Sequence, residues 1–236
     1  MSPDASTTTD LSVLERLVQP AGKDVVDIGC GAGGLVRELA GLGARPVGVE
    51  VTERQLAAAV ARDAGSGARY LIGRAQALPL PDASVDVAIF MRTLHHVPPP
   101  DLLSALGDAR RVLRPGGTVY VAEPLAEGDY FTLTSIVEDE QAVREAAQNA
   151  LGGASGAGLE RVRTVDYDVR VCLPDLAAFR TRTVSVDPDR AKVFDTHLAE
   201  LAAAFEQLGE PGERPGERCF SVPMRADVLR ADDGQR

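Results

Sequence analysis

The sequence predicts an α/β fold built on one mostly parallel sheet with helices on both faces. Short apolar runs rich in β-branched residues recur in the first half of the chain, as expected for strands buried on both sides. Helical patterns separate most of these runs, and such alternation implies parallel strands joined by crossover helices. The runs occupy residues 25–28, 47–49, 70–72, 85–90 and 119–122.

Turn and capping residues place the helices between these strands. One predicted helix follows Gly33 and closes at Gly43, because leucines repeat between them at helical spacing. Thr52 and Gln55 match a capping box for the next helix. A further helix begins near residue 102 and is ended by the Arg-Pro-Gly-Gly run at residues 114–117.

The second half of the chain has a different pattern. Residues 165–173 and 220–228 alternate between apolar and polar side chains, which predicts half-solvated, antiparallel strands near a sheet edge. Residues 174–217 between them form a helical insertion. Its apolar positions from Phe194 to Leu208 predict one long amphipathic helix, with Asp187 at its start and Gly209 at its end. We expect a single domain over residues 1–236, with residues 1–9 disordered and the insertion acting as a lid.

Composition argues against several classes of protein. The formal charge of −10 and the lack of a basic stripe disfavour nucleic acid as a partner. No apolar stretch approaches the roughly 20 residues that cross a bilayer, and residues 1–10 lack the pattern of a signal peptide. Cys30, Cys172 and Cys219 are odd in number and widely spaced, which predicts neither a disulfide framework nor a zinc site. We therefore expect a cytoplasmic protein without a membrane partner, and the sequence leaves its oligomeric state open.

The strongest local signal is a glycine-rich turn after the first strand. Residues 25–34, VVDIGCGAGG, run from a buried strand into closely spaced glycines and then a helix. Glycines permit positive φ and close approach of a ligand to the backbone. Gly29, Gly31 and Gly34 satisfy the G-x-G-x-x-G fingerprint of dinucleotide sites, and Glu50 lies where a ribose-binding acid is expected. The turn therefore predicts a nucleotide-like ligand, but this fingerprint alone does not identify which one.

Four segments in order resemble one known family. Asp27 precedes the first glycine by two residues, giving D-I-G-C-G-A-G, and the second strand ends in Gly-Val-Glu at residues 48–50. Residues 75–86 resemble the family's adenine-side loop. The Leu-His-His-Val run at residues 94–97, followed by residues 109–117, is similar to the segment between its fourth and fifth strands. Over roughly residues 24–123 the chain thus resembles the Rossmann-like, class I S-adenosylmethionine-dependent methyltransferases.

The resemblance implies a fold, a cofactor and roles for individual residues. It implies a doubly wound, seven-stranded sheet in the order 3-2-1-4-5-7-6 with an antiparallel last strand. Asp27 would accept a hydrogen bond from the cofactor's amino group, and Glu50 would bind both ribose hydroxyls; Glu50 could instead cap the following turn. The predicted cofactor site comprises Asp27, Gly29, Cys30, Gly31, Gly33, Glu50, Val51, Ala75, Gln76, Ala77 and Met91.

One position departs from the family pattern. Family members commonly place an aspartate before the alanine of the adenine-side loop, where it accepts from the adenine amino group. Here that position is Arg74, which carries donors only. The side-chain oxygen of Gln76 or a backbone carbonyl would have to replace it.

Candidate catalytic residues follow the fourth and fifth predicted strands, where ligands bind in open α/β sheets. They are His95, His96 and Glu123, with Arg92 and Tyr130 as further candidates for contact with the acceptor. Each also has a structural interpretation: a histidine can orient the loop, Glu123 can hold it, and Arg92 can form a surface ion pair. No metal site is predicted.

The sequence therefore predicts an enzyme that transfers the methyl group of S-adenosylmethionine to a small-molecule acceptor by in-line displacement, leaving S-adenosylhomocysteine. Three alternatives remain open: another enzyme using this cofactor, a non-catalytic cofactor-binding regulatory module, and a nicotinamide oxidoreductase. The antiparallel final strands argue against the last of these.

Overall fold

The computed structural model describes residues 8–231, which form two compact units. Unit A comprises Thr9–Glu123, Ala146–Val165 and residues 225–231, and unit B chiefly comprises Pro124–Glu145 and Asp166–Met224. The expected disorder of residues 1–9 falls mostly outside the described residues. Thr9, at the boundary, forms the capping box of the first helix with Ser12.

The strands are β1 (Asp24–Ile28), β2 (Arg45–Glu50), β3 (Arg69–Ile72), β4 (Val85–Met91), β5 (Leu113–Pro124), β6 (Leu159–Leu173), β7 (Glu210–Pro211) and β8 (Arg218–Ala231). They pair in the order β3-β2-β1-β4-β5-β8-β6, and the two-residue β7 pairs antiparallel with β8. The pairs among β1 to β5 are parallel. Because β8 is the seventh strand once β7 is set aside, the expected order 3-2-1-4-5-7-6 and the Rossmann-like fold are confirmed.

The α-helices are α1 (Asp10–Val18), α2 (Gly34–Gly41), α3 (Glu53–Arg62), α4 (Leu102–Val112), α5 (Asp129–Ser135), α6 (Gln141–Gly152), α7 (Leu176–Val186), α8 (Arg190–Thr196) and α9 (Leu198–Leu208). Short 3-10 turns cover Leu94–His96, Pro99–Asp101 and Ala154–Ala157. Among residues 8–231, no helix combines the length and apolar character that a membrane crossing requires.

Each unit has its own apolar core. In unit A, Val26 and Ile28 of β1 and Phe90 of β4 pack in one cluster with Leu106 of α4 and Val121 of β5, all almost fully buried. This burial fixes β1 and β4 side by side, so the turns that follow them lie at the same edge of the sheet.

The core of unit B is aromatic. Phe179 and Phe194, from two of the insertion's helices, have ring centroids 5.6 Å apart, and Phe205 lies 5.3 Å from Phe220 of β8. Tyr130 of α5 lies 6.3 Å from Phe179 and 6.0 Å from Phe220. Aromatic pairs at these distances contribute beyond their buried area. The insertion thus has an apolar core to pack against within its own unit.

Three local expectations were wrong. The long helix of the insertion is broken at His197, whose side chain is exposed and pairs with Glu200 at 3.0 Å, so α8 and α9 are separate. Thr52 occupies the N-cap of α3 without a side-chain capping bond, because its hydroxyl donates to Glu50 at 3.0 Å. β8 lies next to the edge strand β6, as expected, but its residues are mostly buried and not half-solvated.

The prediction that the cysteines form no disulfide was also wrong. Cys172 of β6 and Cys219 of β8 are bonded, although 47 residues separate them in sequence. Pairing of the two strands brings their Cα atoms to 4.0 Å, a proximity that an odd cysteine count cannot reveal. The bond joins the strands close to where the insertion begins and ends. Cys30 remains a free, buried thiol.

Loss of this disulfide should destabilise the protein. Closing a 47-residue separation removes chain entropy from the unfolded state worth at most about 4 kcal/mol, and we expect a measured loss of about 2–4 kcal/mol. Urea unfolding with and without reductant measures it. The double variant Cys172→Ser/Cys219→Ser should have the same unfolding free energy as the reduced protein, and reductant should not change it. Equal stability of this variant and the oxidised wild type would contradict the expectation.

Candidate functional site

The glycine turn between β1 and α2 has backbone angles that favour glycine. Gly29, Gly31 and Gly33 have φ of 75°, 53° and 72°, a left-handed region that side chains with a Cβ disfavour. At Gly29 a Cβ would also collide with Thr93, whereas at Gly31 it would meet no protein atom within 4 Å. The backbone at Gly31 therefore faces open space that a ligand can approach.

Four amides of this turn are already used within the protein. Gly29 and Cys30 donate to the carbonyl of Val49 at 2.8 and 3.0 Å, and Gly33 donates to the carbonyl of Cys30 at 2.9 Å. Gly31 donates to Oε2 of Glu50 at 2.9 Å. The turn is thus anchored to the end of β2.

Glu50 binds two backbone amides and one hydroxyl through one carboxylate. Its Oε2 accepts from Gly31, while its Oε1 accepts from the amide and hydroxyl of Thr52, both at 3.0 Å. Charge-assisted bonds of this kind are about twice as strong as neutral ones. Glu50 does hold the turn that follows it, and it also fixes the glycine turn.

Asp27 lies on β1 beneath the turn and is only 2% exposed. Burial, reinforced by the negative charge of Glu50, raises the pKa of Asp27 to about 7. Burial likewise raises the pKa of the Cys30 thiol to about 12, so this thiol is unreactive at neutral pH. The turn is therefore an acidic site with one carboxyl poised between its neutral and ionised forms.

A cavity of about 300 Å³ lies beside the turn, at the small end of the usual range for ligand pockets. Most of its wall is apolar. Its lining residues are Ile28, Gly29, Val49, Val51, Gly73, Arg74, Ala75, Gln76, Thr93, His96, Val97, Pro98 and Asp101. Such walls suit a flat ring, and the few polar side chains can select its substituents.

A second carboxylate holds the turn after β4. Glu123 of β5, 1% exposed, accepts through Oε1 from the amides of Thr93 and Leu94 at 2.9 and 2.7 Å. Its Oε2 is in close contact with Nδ1 of the buried His95. Because a carboxylate accepts, His95 carries its proton on Nδ1 and, when neutral, its lone pair on Nε2.

The candidate catalytic residues therefore have different surroundings. His96 is exposed and lines the cavity, and its ring centroid lies 4.0 Å from that of His95. His95 and Glu123 are buried and support the turn that carries His96. Arg92, at a positive φ of 54°, pairs with Asp10 at 2.9 Å. Tyr130 lies in the aromatic core of unit B.

The structure brings together some predicted cofactor residues at the cavity and others at the turn. Gly29, Val51, Ala75 and Gln76 line the cavity. Asp27, Cys30, Gly31, Gly33 and Glu50 form or support the glycine turn. Two lie outside both groups: Ala77 donates its amide to Arg74 at 3.1 Å, and Met91 ends β4 with its carbonyl accepting from Thr93 at 3.0 Å.

Sequence analysis missed Asp101, Thr93 and Pro98 in the cavity wall. The Pro-Pro-Pro-Asp run at residues 98–101 carried a turn signal. Nothing in it indicated that this turn closes one side of a cavity.

A mostly parallel sheet, a glycine turn at the carboxyl end of β1 and an acid ending β2 are together typical of Rossmann-like nucleoside-binding proteins. Comparison with known proteins shows which family part of the chain resembles. Residues 26–121 match the family model of a methyltransferase domain.

Two relatives share this part of the chain. The ubiquinone biosynthesis O-methyltransferase of Cupriavidus pinatubonensis is 40% identical over 115 residues, which cover 48% of this chain and 45% of the relative. The 27-O-demethylrifamycin SV methyltransferase of Amycolatopsis mediterranei is 33% identical over 143 residues, covering 57% and 50%. The chain spans about half the length of the curated relatives that it matches.

The fold extends further than the sequence similarity. A solved structure assigned as a methyltransferase, from Bacillus halodurans C-125, superposes with a TM-score of 0.65 at 20% identity, covering 94% of this chain and 99% of that one. The matched part of this chain is thus similar to S-adenosylmethionine-dependent methyltransferases, and the chain as a whole shares their fold.

Removing the carboxylate of Glu50 should weaken both the turn and its ligand. Glu50→Ala leaves the amides of Gly31 and Thr52 without their acceptor, so we expect unfolding free energy to fall by about 1–3 kcal/mol. Binding of S-adenosylhomocysteine should weaken by about 1.5–3 kcal/mol, the usual scale for a bond to a charged group. Urea unfolding and calorimetry measure the two. Glu53→Ala, which removes an exposed acid of the same charge, is the matched control. Unchanged affinity in a folded Glu50→Ala protein would remove Glu50 from the site.

Proposed function

We propose that this protein transfers the methyl group of S-adenosylmethionine to a small-molecule acceptor. The observation that carries the proposal is the acidic glycine turn, in which four amides are already bonded and which lies beside two buried carboxyl groups. Such a turn favours a cationic ligand. S-adenosylmethionine carries a sulfonium and an ammonium group, and both suit these surroundings.

The same turn disfavours a dinucleotide. A pyrophosphate binds free backbone amides at a helix N-terminus. Here Gly29, Cys30, Gly31 and Gly33 all donate within the protein, and Glu50 places a negative charge beside Gly31. Bringing two phosphate charges to this position would add repulsion from the carboxylate of Glu50. The nicotinamide alternative is therefore the weaker one.

The cavity fits the remaining part of the cofactor. Val51 ends the turn after Glu50, and Ile28, Val49, Ala75 and Val97 supply the apolar walls that a purine ring needs. Glu50, next to Val51 in sequence, would accept from the ribose hydroxyls, and Asp27 from the amino group. We propose the predicted cofactor residues in these roles.

The bound cofactor supplies an activated methyl group, and the protein's part is alignment and exclusion of water. A base is needed only for an acceptor that must lose a proton of high pKa. His96 is exposed on the turn after β4, beside the proposed cofactor cavity, and is our candidate for contact with the acceptor. His95 and Glu123 hold the turn that carries it, so we assign them as positioning residues whose effect reaches the acceptor through His96.

Support for a small-molecule acceptor comes from the two relatives, whose names specify methylation in ubiquinone biosynthesis and of a rifamycin. We propose an acceptor of comparable size, with neither nucleic acid nor membrane as partner, and action in the cytoplasm. In that compartment cellular thiols would hold Cys172 and Cys219 reduced, and strand pairing would keep them adjacent.

We propose that acceptor selection depends on the insertion at residues 174–217. Family similarity covers residues 26–121 and leaves the insertion outside, as expected if the cofactor site is shared and the acceptor differs. The insertion would act as a lid.

A competitive titration with S-adenosylhomocysteine and a nicotinamide dinucleotide tests the cofactor. A screen for S-adenosylhomocysteine formation against a panel of metabolites then tests the reaction. Tight binding of the first ligand with turnover of any acceptor supports the proposal. Binding without turnover across the panel would favour the regulatory alternative, and preference for the dinucleotide would refute the proposal.

Cofactor affinity should depend on pH through Asp27. Its pKa of about 7 means that it becomes neutral as pH falls, and the neutral form loses its attraction for the ligand's ammonium group, which stays protonated in this range. We expect the dissociation constant to rise on acidification below pH 7, approaching about tenfold per pH unit. Calorimetry between pH 5.5 and 8 measures this. Asp27→Asn should bind weakly with a flat profile; an equally steep profile in this variant would assign the dependence to another group.

The insertion should be dispensable for cofactor binding. The Cα atoms of Cys172 and Cys219 lie 4.0 Å apart, so a short flexible linker can replace residues 174–217 without moving β6 and β8. We expect retained affinity for S-adenosylhomocysteine and loss of turnover with the acceptor found in the screen. A shortened protein that folds and methylates at the parental rate would disprove the lid, and selection would then fall to residues 92–97 and 123–136.

A further inference from the structure

The family resemblance implies a carboxylate before Ala75, and this chain has none there. Arg74 holds that position and lines the cavity, and a guanidinium has no acceptor to offer a purine amino group. Another acceptor in the wall must replace it if the ring is to be selected by its amino substituent.

Asp101 is the only carboxylate among the residues that line this cavity. It occupies the N-cap position of α4, where an aspartate usually accepts from a backbone amide of the first turn. Here its side chain makes no capping bond. The 3-10 turn Pro99–Asp101 leads directly into α4 and gives Asp101 a helical backbone, with φ of −96° and ψ of −7°. The carboxylate is directed to another partner.

That partner is Gln76, which lies in the loop between β3 and β4. Nε2 of Gln76 donates to Oδ2 of Asp101 at 3.1 Å. Because a carboxylate only accepts, this bond fixes which end of the amide faces Asp101. The oxygen of Gln76 and Oδ1 of Asp101, which accepts no side-chain hydrogen bond from residues 8–231, are then both left as acceptors in the wall.

We infer that Asp101 selects the 6-amino purine of the cofactor by accepting a hydrogen bond from its exocyclic amino group, with Gln76 as a second acceptor. A primary amino group on a ring has two N–H donors, and two adjacent oxygens match them. The inference rests on the proposed function. It assigns to a turn after β4 the task that relatives give to the position of Arg74.

The test compares S-adenosylhomocysteine with its 6-deamino analogue, in which hydrogen replaces the amino group. By calorimetry, wild type should bind the parent compound roughly ten- to hundredfold more tightly than the analogue, as expected for a hydrogen bond to a charged group. In Asp101→Ala this ratio should fall below about threefold, because the charged acceptor is gone. Asp101→Asn, which keeps the shape of the side chain, should give an intermediate ratio. Asp82→Asn, which neutralises a carboxylate 79% exposed, is the matched control and should keep the wild-type ratio.

The variant Gln76→Ala distinguishes direct contact of Asp101 with the purine amino group from a role in which Asp101 only orients Gln76. If Asp101 contacts the amino group itself, Gln76→Ala keeps most of the preference for the amino compound. If Asp101 only orients Gln76, both alanine variants lose the preference equally, and the inference is overturned. A wild-type ratio in Asp101→Ala would overturn it as well, while leaving the proposed function intact. Failure of wild type to bind either ligand would instead refute the proposed function, and this inference with it.

Discussion

The carboxylate of Glu50 is the interaction on which the site depends. It closes β2, accepts from Gly31 in the turn after β1 and accepts twice from Thr52 before α3. Parallel strands end at one edge of the sheet, so their turns lie within reach of one side chain. This arrangement sets the left-handed turn against β2 and gives the turn its negative charge. The charge then contributes, with burial, to the raised pKa of Asp27.

Glu123 repeats this arrangement one turn further along the sheet. It lies at the end of β5 and accepts from two amides of the turn after β4, where Glu50 accepts from turns beside β2. In both cases a buried carboxylate supplies the acceptor that turn amides need, since unpaired amides in such places are costly. The two turns that they hold contribute Gly29 and Thr93 to the wall of the same cavity. Thr93, held by Glu123, also packs against Gly29, so the two turns support each other.

The features shared with methyltransferases and those particular to this protein lie in different segments of the chain. The segment that matches the methyltransferase model contains Glu50, the glycine turn and the lining residues of the cavity, and Glu123 lies two residues beyond it. The insertion has its own aromatic core and a disulfide near its ends. An element with independent packing can change its surface without disturbing the cofactor turn, because the side chains that stabilise each lie in different units. This independence is consistent with an acceptor specificity that varies among proteins with one cofactor site.

The sequence by itself determined the buried strands, the glycine turn and the two strand-end acids, because each depends on local pattern: buried apolar runs, closely spaced glycines, and an acid at a strand's end. The order of the strands in the sheet came from the family resemblance. Tertiary structure decided how the polar side chains are used. Thr52 was expected to cap α3 but donates to Glu50, and Asp101 lies at a helix start but bonds Gln76, a residue 25 positions away. Cys172 and Cys219 meet only because β6 pairs with β8. A hydrogen bond or a disulfide is short-ranged and joins whatever the fold brings together, so sequence spacing could not reveal these partners.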